Sequence, residues 1–155
     1  MKKKILSAIG LMSGTSMDGV DLSLIKSDGN SNFTHVFDDY FEFDLNLRQN
    51  LMNLRDKILN LDDLKKYSKE LDNLEREFTL FNAQIIENII KKNDHQIDLI
   101  GFHGQTIFHN SKKKLSKQLG DGKLLSQLTQ KVVINDFRKQ DIINGGQGAP
   151  LTPIF

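Results

Sequence analysis

The sequence has no cysteine. Disulfides, thiol nucleophiles and zinc–thiolate sites are therefore excluded, and a reducing compartment fits. It has no surplus of charge either: 21 Lys and Arg face 20 Asp and Glu, for a formal net charge of +1. No global field draws nucleic acid or an anionic membrane to such a chain, so neither is expected as a partner. No run approaches the roughly 18 apolar residues of a membrane span. Lys2, Lys3 and Lys4 ahead of the apolar residues 5–12 imitate the start of a secretory leader. Ser7 and Gly10 interrupt that run, however, and no Ala-x-Ala type site follows it.

What is present is a globular composition. Hydrophobic residues are 38% and charged residues 26% of 155, which supports one domain with a core and is too short for two large ones. Residues 5–12 are nearly all apolar and read as a central strand buried on both faces. A turn rich in glycine and hydroxyls follows at 13–19, and Val20, Leu22 and Leu24 alternate with Asp21, Ser23 and Ile25 as a second strand. Asp28-Gly29 marks the next turn, and the aromatic-rich residues 33–43 make a third strand, completing an antiparallel meander. Leu47, Leu51, Leu54, Ile58 and Leu61 step by three and four residues, as one helix does, capped by Asp44 or Asn46. The stripe Leu64, Tyr67, Leu71, Leu74, Phe78, Phe81, Ile85 and Ile89 predicts a second, longer helix facing the core. Asp62 or Asp63 would cap it, and Lys91-Lys92-Asn93 suits its end.

Residues 97–102 then read as a strand, with His103-Gly104-Gln105-Thr106 just past its carboxyl end. The basic residues 110–117 read as a solvated loop, 122–130 as a short helix and 132–134 as a short buried strand. The order strands, helices, strand, helix, strand gives an α/β fold with a mixed sheet.

Three segments carry chemistry. Gly14, Thr15, Ser16, Met17, Asp18, Gly19, Val20 and Asp21 combine backbone N–H groups, hydroxyls and carboxylates on a tight turn. Such a turn can cradle phosphate, and a carboxylate there such as Asp18 or Asp21 can hold a hydrated Mg²⁺. It is not a P-loop, because no Gly-Lys-Ser/Thr follows. An ordinary Gly/Ser hairpin turn fits the same residues equally well. The second segment, His103, Gln105 and Thr106 with His109, lies where α/β sheets place ligands. It suits a polar ligand better than a metal, since no carboxylate or cysteine completes a set beside the histidines. The third is Asp136-Phe137-Arg138, then Asp141, then residues 145–151. Arg138 offers a planar fork for a carboxylate or phosphate. Asp136 either accepts from sugar hydroxyls or simply pairs with Arg138. The glycines here imply close backbone approach to a ligand or to another segment.

Taken in sequence, these stretches resemble the anhydro-N-acetylmuramic acid kinases of bacterial cell-wall recycling. The resemblance rests on residues 10–21, on His103-Gly104-Gln105-Thr106 with His109, and on residues 136–151. It implies the N-terminal domain of an actin-like ATPase and sugar-kinase fold, in which two α/β domains flank a cleft. Residues 14–21 would then grip the phosphates of ATP. His103, Gln105, Thr106, Asp136 and Arg138 would meet the sugar, with Arg138 on its lactyl carboxylate. Mg²⁺ would be held through water, for example by Asp18. The family hydrolyses the 1,6-anhydro ring and phosphorylates O6, giving N-acetylmuramic acid 6-phosphate. A cytoplasmic homodimer is what the family suggests.

This sequence also departs from the family. The family's Leu-Gln-Ile-Gly-Asp type segment reads Lys117-Gln118-Leu119-Gly120-Asp121 here. The family's catalytic aspartate belongs to an Asp-Thr-Gly-Pro-Gly-Asn segment, for which residues 1–155 have no counterpart. The expectation is thus one truncated N-terminal domain without a catalytic residue. Its partner would be a separate chain carrying the missing half, docking on apolar surface that includes Leu151, Ile154 and Phe155. A non-catalytic remnant, or a nucleotide- or sugar-binding module, is the alternative. An ATP hydrolase or sensor on the same fold fits the second and third motifs less well.

Overall fold

The computed structural model describes residues 4–92 and 96–149. Its framework is a six-stranded mixed sheet. β1 (Leu6–Ser13), β2 (Gly19–Ser27) and β3 (Phe33–Glu42) form the expected antiparallel meander. β4 (Leu99–Asn110) runs parallel to β1 on its other side. The first part of β4 pairs in parallel with β6 (Val132–Ile134), and its second part pairs antiparallel with β5 (Leu115–Leu119).

The helices follow the apolar stepping. α1 (Leu45–Lys57) is capped by Asp44, whose carboxylate accepts from the N–H groups of Asn46 and Leu47, both at 2.9 Å. Such a cap contributes about 1 kcal/mol. The single long helix expected beyond it is two. α2 (Leu61–Lys66) starts from a reciprocal capping box between Asn60 and Asp63. The chain leaves helical geometry at Tyr67, and α3 (Ser68–Lys92) carries on the stripe. Asn93 lies outside the described residues. Leu71, Leu74, Phe78, Ile85, Ile86 and Ile89 of α3 join Leu47, Leu51 and Leu54 of α1 in one core with Ile9, Leu11, Leu22, Leu24, Ile100 and Phe102 of the sheet. Phe78 stacks on Phe102 and meets Phe43 edge-on, both with ring centroids 5.9 Å apart. α4 (Gly122–Thr129) adds Leu125 to this layer.

Four expectations are corrected. β1 is not buried on both faces: Ile9, Leu11 and Ser13 are buried while Gly10 and Met12 are exposed. The helices α1 and α3 cover one face of the sheet only, which gives the strand a strict alternation. β6 is not a buried strand for the same reason, with Val132 63% and Ile134 46% exposed. The segment His103 to Thr106 does not follow a strand but lies within one, because β4 continues to Asn110. The basic residues 110–117 are a hairpin leading into β5, where Lys117 reaches Glu75 of α3 at 2.9 Å. A further helix, α5 (Phe137–Ile143), stands between Asp136 and the glycine-rich residues, where the sequence reading assigned no element. Leu151, Ile154 and Phe155 lie outside the described residues.

Candidate functional site

The three segments meet where the carboxyl end of β1 lies beside the middle of β4. The first is the connection between β1 and β2, and internal bonds hold it in one shape. Met17 N–H donates to the carbonyl of Gly14 at 3.3 Å, and Met17 itself takes a left-handed conformation with φ of 52°. That costs about 1–2 kcal/mol for a residue with a Cβ. The side chain offsets the cost by being fully buried in the core. Met17 therefore anchors the turn from below, while Thr15 and Ser16 remain exposed above it. Gly19 is needed for close approach: a Cβ there would sit 2.5 Å from the Phe41 carbonyl and 2.6 Å from the Tyr40 ring. The carbonyl of Asp18 accepts from Phe43 N–H at 2.9 Å, and the guanidinium of Arg55 reaches the Thr15 carbonyl at 3.5 Å.

Asp18 is the charged group of this turn. Its carboxylate accepts from the Ser16 hydroxyl at 2.5 Å. That bond, followed by its own and Gly19's backbone N–H groups and the charge of Arg48, holds its carboxyl below the usual range. Asp18 is thus a partly exposed anion at neutral pH. Asp21 sits on the exposed face of β2, opposite Met12 in register. Val20 is buried beside Met17 in the core.

The second segment braces the first. Gln105 is fully buried. Its Oε1 accepts from the Ser13 hydroxyl at 2.5 Å and its Nε2 donates to the Gly14 carbonyl at 3.0 Å. Ser13 Oγ also lies 2.9 Å from the Gly19 carbonyl, so one hydroxyl and one amide tie both ends of the turn to β4. β4 reaches that position through Gly104, whose φ is +77°. A Cβ on Gly104 would stand 2.4 Å from the Leu119 carbonyl, so only glycine lets β4 and β5 close here. Thr106 Oγ1 lies 3.4 Å from Gln118 Nε2, across the same pairing.

His103 connects the second segment to the third. Its Nδ1 is 2.8 Å from the Gly104 carbonyl. A carbonyl only accepts, so Nδ1 carries the proton and Nε2 is left to accept from Arg138 Nε, at 3.1 Å. Burial and the neighbouring Arg138 push the imidazole pKa below 6.5, against the opposing pull of the Gly104 carbonyl. His103 is therefore neutral, and Arg138 uses one donor of its fork on it. Asp136 does not pair with Arg138. It starts α5 in a left-handed conformation, with φ of 60° and no side-chain bond to the helix. His109, further along β4, lies 3.1 Å from Ser116 Oγ and is exposed. Among the described residues no group of three metal-ligating side chains occurs.

The glycine-rich stretch after α5 closes on its own helix rather than on open space. Asp141 accepts from Gly146 N–H through its carbonyl at 2.8 Å and from Gly148 N–H through its carboxylate at 2.7 Å. Pro150 and Leu151 lie outside the described residues. Gly120-Asp121, the part of the divergent segment that is retained, is gripped by α3. Gly120 N–H donates to Glu75 at 3.2 Å and Asp121 N–H to Thr79 Oγ1 at 3.0 Å. Asp121 in turn caps α4 through Leu124 N–H at 2.9 Å. Glu75 and Thr79 escaped sequence reasoning. Their one signal was a spacing of four residues that puts them together on α3.

The comparison with known proteins decides the family. The family model described as anhydro-N-acetylmuramic acid kinase matches residues 6–155. The chain belongs to the anhydro-N-acetylmuramic acid kinase family. Among curated proteins of that name, one from Pelagibacter ubique is 57% identical over 153 residues, covering 99% of this chain and 41% of its own length. Those from Agrobacterium fabrum and Brucella suis are 37% and 39% identical, covering 98% and 96% of this chain and 42% and 40% of theirs. The chain thus spans about two-fifths of the length of these anhydro-N-acetylmuramic acid kinases. The three segments at the head of the sheet all fall within the family match.

Proposed function

We propose that this chain is the phosphate-gripping part of an ATP-dependent anhydro-N-acetylmuramic acid kinase. In this reading it is a single N-terminal domain that works in the cytoplasm and turns over only together with the polypeptide its relatives carry beyond the matched region. The observation that carries the reading is the braced turn at residues 14–19, in a chain whose sequence matches this kinase family throughout. Exposed Thr15 and Ser16 hydroxyls, with the backbone of Gly14 to Gly19, bind the phosphates of ATP. Gln105 positions that turn from below, and Val20 and Asp21 lead it into β2.

An ionised Asp18 beside phosphates would repel them unless a cation lay between. A partly exposed carboxylate fixed by Ser16 fits a hydrated Mg²⁺, which prefers to keep several waters. When bound, the ion would shield phosphate charge during transfer.

Arg138 faces the sugar in this reading. Its Nε is fixed by neutral His103, and the remaining Nη donors suit the two oxygens of the lactyl carboxylate. Asp136 and Thr106 supply hydrogen bonds to sugar hydroxyls. The reaction is hydrolytic opening of the 1,6-anhydro ring with phosphorylation of O6. It needs a carboxylate base to activate water. We assign that base to the part of the relatives that lies outside their match to this chain, since residues 1–155 hold no counterpart of the family's Asp-Thr-Gly-Pro-Gly-Asn segment.

The test of the site is steady-state kinetics on the chain combined with the complementary polypeptide. A Thr15→Ala, Ser16→Ala double variant should raise KM for ATP at least tenfold and leave KM for the sugar alone. An Arg138→Ala variant should do the reverse. Unchanged sugar affinity on losing Arg138, or unchanged ATP affinity on losing both hydroxyls, would refute the respective assignment.

A further inference from the structure

The turn at residues 14–19 is tied to β4 on one side by Ser13 and Gln105. On another side it meets α1. Arg55 lies in the last turn of α1 and is partly buried. Its Nε and Nη2 both donate to one carboxylate oxygen of the adjacent Asp56, at 3.0 and 2.9 Å. Nη1 is left to donate to the Thr15 carbonyl at 3.5 Å, a contact across 40 residues of sequence. A cation at this end of a helix suits the dipole wherever its head points. The grip of Asp56 and the reach to Thr15 are additional to that.

The direction of the Thr15 carbonyl decides what the turn presents. Gly14 to Met17 is a four-residue turn, closed by the Met17 N–H on the Gly14 carbonyl. Its central peptide joins Thr15 to Ser16. A trans peptide is planar, so the Thr15 carbonyl and the Ser16 N–H point in opposite directions. The two common turn types differ in which way this peptide faces, and the flipped one needs a positive φ at the third residue. Ser16 has none. With its carbonyl drawn towards α1, the central peptide turns the Ser16 N–H away from α1. By the same geometry, the hold of Gln105 on the Gly14 carbonyl turns the Thr15 N–H away from β4. Neither N–H has an acceptor among the described residues. We propose that Arg55 is a positioning residue of the phosphate turn: by holding the Thr15 carbonyl it fixes the central peptide with the Ser16 N–H facing the phosphate. The inference rests on the phosphate-binding reading of the turn and adds to it a residue from outside the three segments. Arg48, seven residues earlier and so near the same face of α1, acts differently. Its charge is felt by Asp18, but among the described residues it makes no bond to the turn.

The test uses the 155-residue chain, isotope-labelled for NMR, with MgATP as the probe. In the free chain Arg55→Ala should shift the Thr15 carbonyl carbon resonance. It should also lower the Ser16 amide order parameter from about 0.85 towards about 0.6. MgATP should bind about fivefold more weakly, as expected for one modest hydrogen bond lost. Arg55→Lys, which keeps a donor of similar reach, should restore most of both. Arg48→Ala removes an equal charge from the same helix face. It should leave the order of Ser16 unchanged and weaken MgATP less. The Arg55→Ala chain should melt close to the parent, because the pair with Asp56 lies at the surface. An unchanged Ser16 order parameter in Arg55→Ala would overturn the proposal, and so would unchanged MgATP affinity. Equal weakening by Arg48→Ala would overturn it too, by making charge and not position the cause. A parent chain that binds no MgATP would remove the phosphate reading. The order of Ser16 in Arg55→Ala would still decide whether Arg55 holds the peptide.

Discussion

Replacing Gln105 with leucine tests the brace beneath the turn. The side chain is fully buried and makes close bonds at 2.5 and 3.0 Å to Ser13 and Gly14. Leucine is similar in size but has no polar atom. Ser13 would keep its alternative acceptor, the Gly19 carbonyl at 2.9 Å, so its hydroxyl stays satisfied. The Gly14 carbonyl loses its amide donor and keeps the longer bond from Met17 N–H at 3.3 Å. Losing one such hydrogen bond without leaving its partner unpaired costs about 0.5–1.5 kcal/mol. For a domain of this size each kcal/mol lowers the melting temperature by roughly 2–4 °C, so a fall of about 2–4 °C is expected near the middle of that range. Gln105→Glu should be worse, because it places a carboxylate oxygen against the Gly14 carbonyl. Thermal unfolding followed by circular dichroism measures both. A Gln105→Leu chain that melts with the parent would show that the brace contributes nothing, and would return Gln105 to the role of a ligand contact.

Gly19→Ala should cost more than about 2 kcal/mol, since its Cβ meets backbone at 2.5 Å. Gly29→Ala, with φ of +70° but nothing within 4 Å, should cost only about 1–2 kcal/mol. Urea unfolding of the two variants separates clash from backbone strain. The folded His103 has a pKa below its unfolded value of 6.5. The unfolded chain therefore takes up the proton first as pH falls, and stability present above about pH 6.5 is lost below it. Melting temperatures from pH 7.5 to 5.5 should fall less steeply for His103→Gln than for the parent. Asp44→Ala should lower stability by about 1 kcal/mol through loss of the α1 cap, measurable by the same urea titration.

The meander, the stripes of α1 and α3, the short helix α4 and the position of β6 were legible because their patterns have short periods. Alternation from Val20 to Ile25 and stepping from Leu47 to Ile89 each report a local geometry. The stripe could not show the break at Tyr67, where Asn60 and Asp63 cap a separate short helix. Burial on both faces was misread for β1 because a run such as Ile9-Gly10-Leu11-Met12 is apolar on either side, whether or not a second layer covers it. β4 was read too short because Gly104-Gln105 resembles a turn. Its left-handed glycine is instead a bulge that swings Gln105 under Ser13. The three chemical segments were visible as residues, but their joining was not. The bonds Gln105 to Gly14 and Arg138 to His103 link positions 91 and 35 residues apart, and no local pattern encodes such distances.

In the proposed reading this chain supplies the phosphate grip, and the base comes from the complementary polypeptide. Kinase activity with ATP, Mg²⁺ and anhydro-N-acetylmuramic acid tests it most directly, on the chain alone and then with the complementary polypeptide, shown to be folded, added separately. Turnover only after addition is the predicted result. Turnover by residues 1–155 alone would contradict it and turn attention to Asp18, Asp21, Asp136 and Asp141. No turnover in either mixture would contradict it as well, leaving a remnant or a binding module.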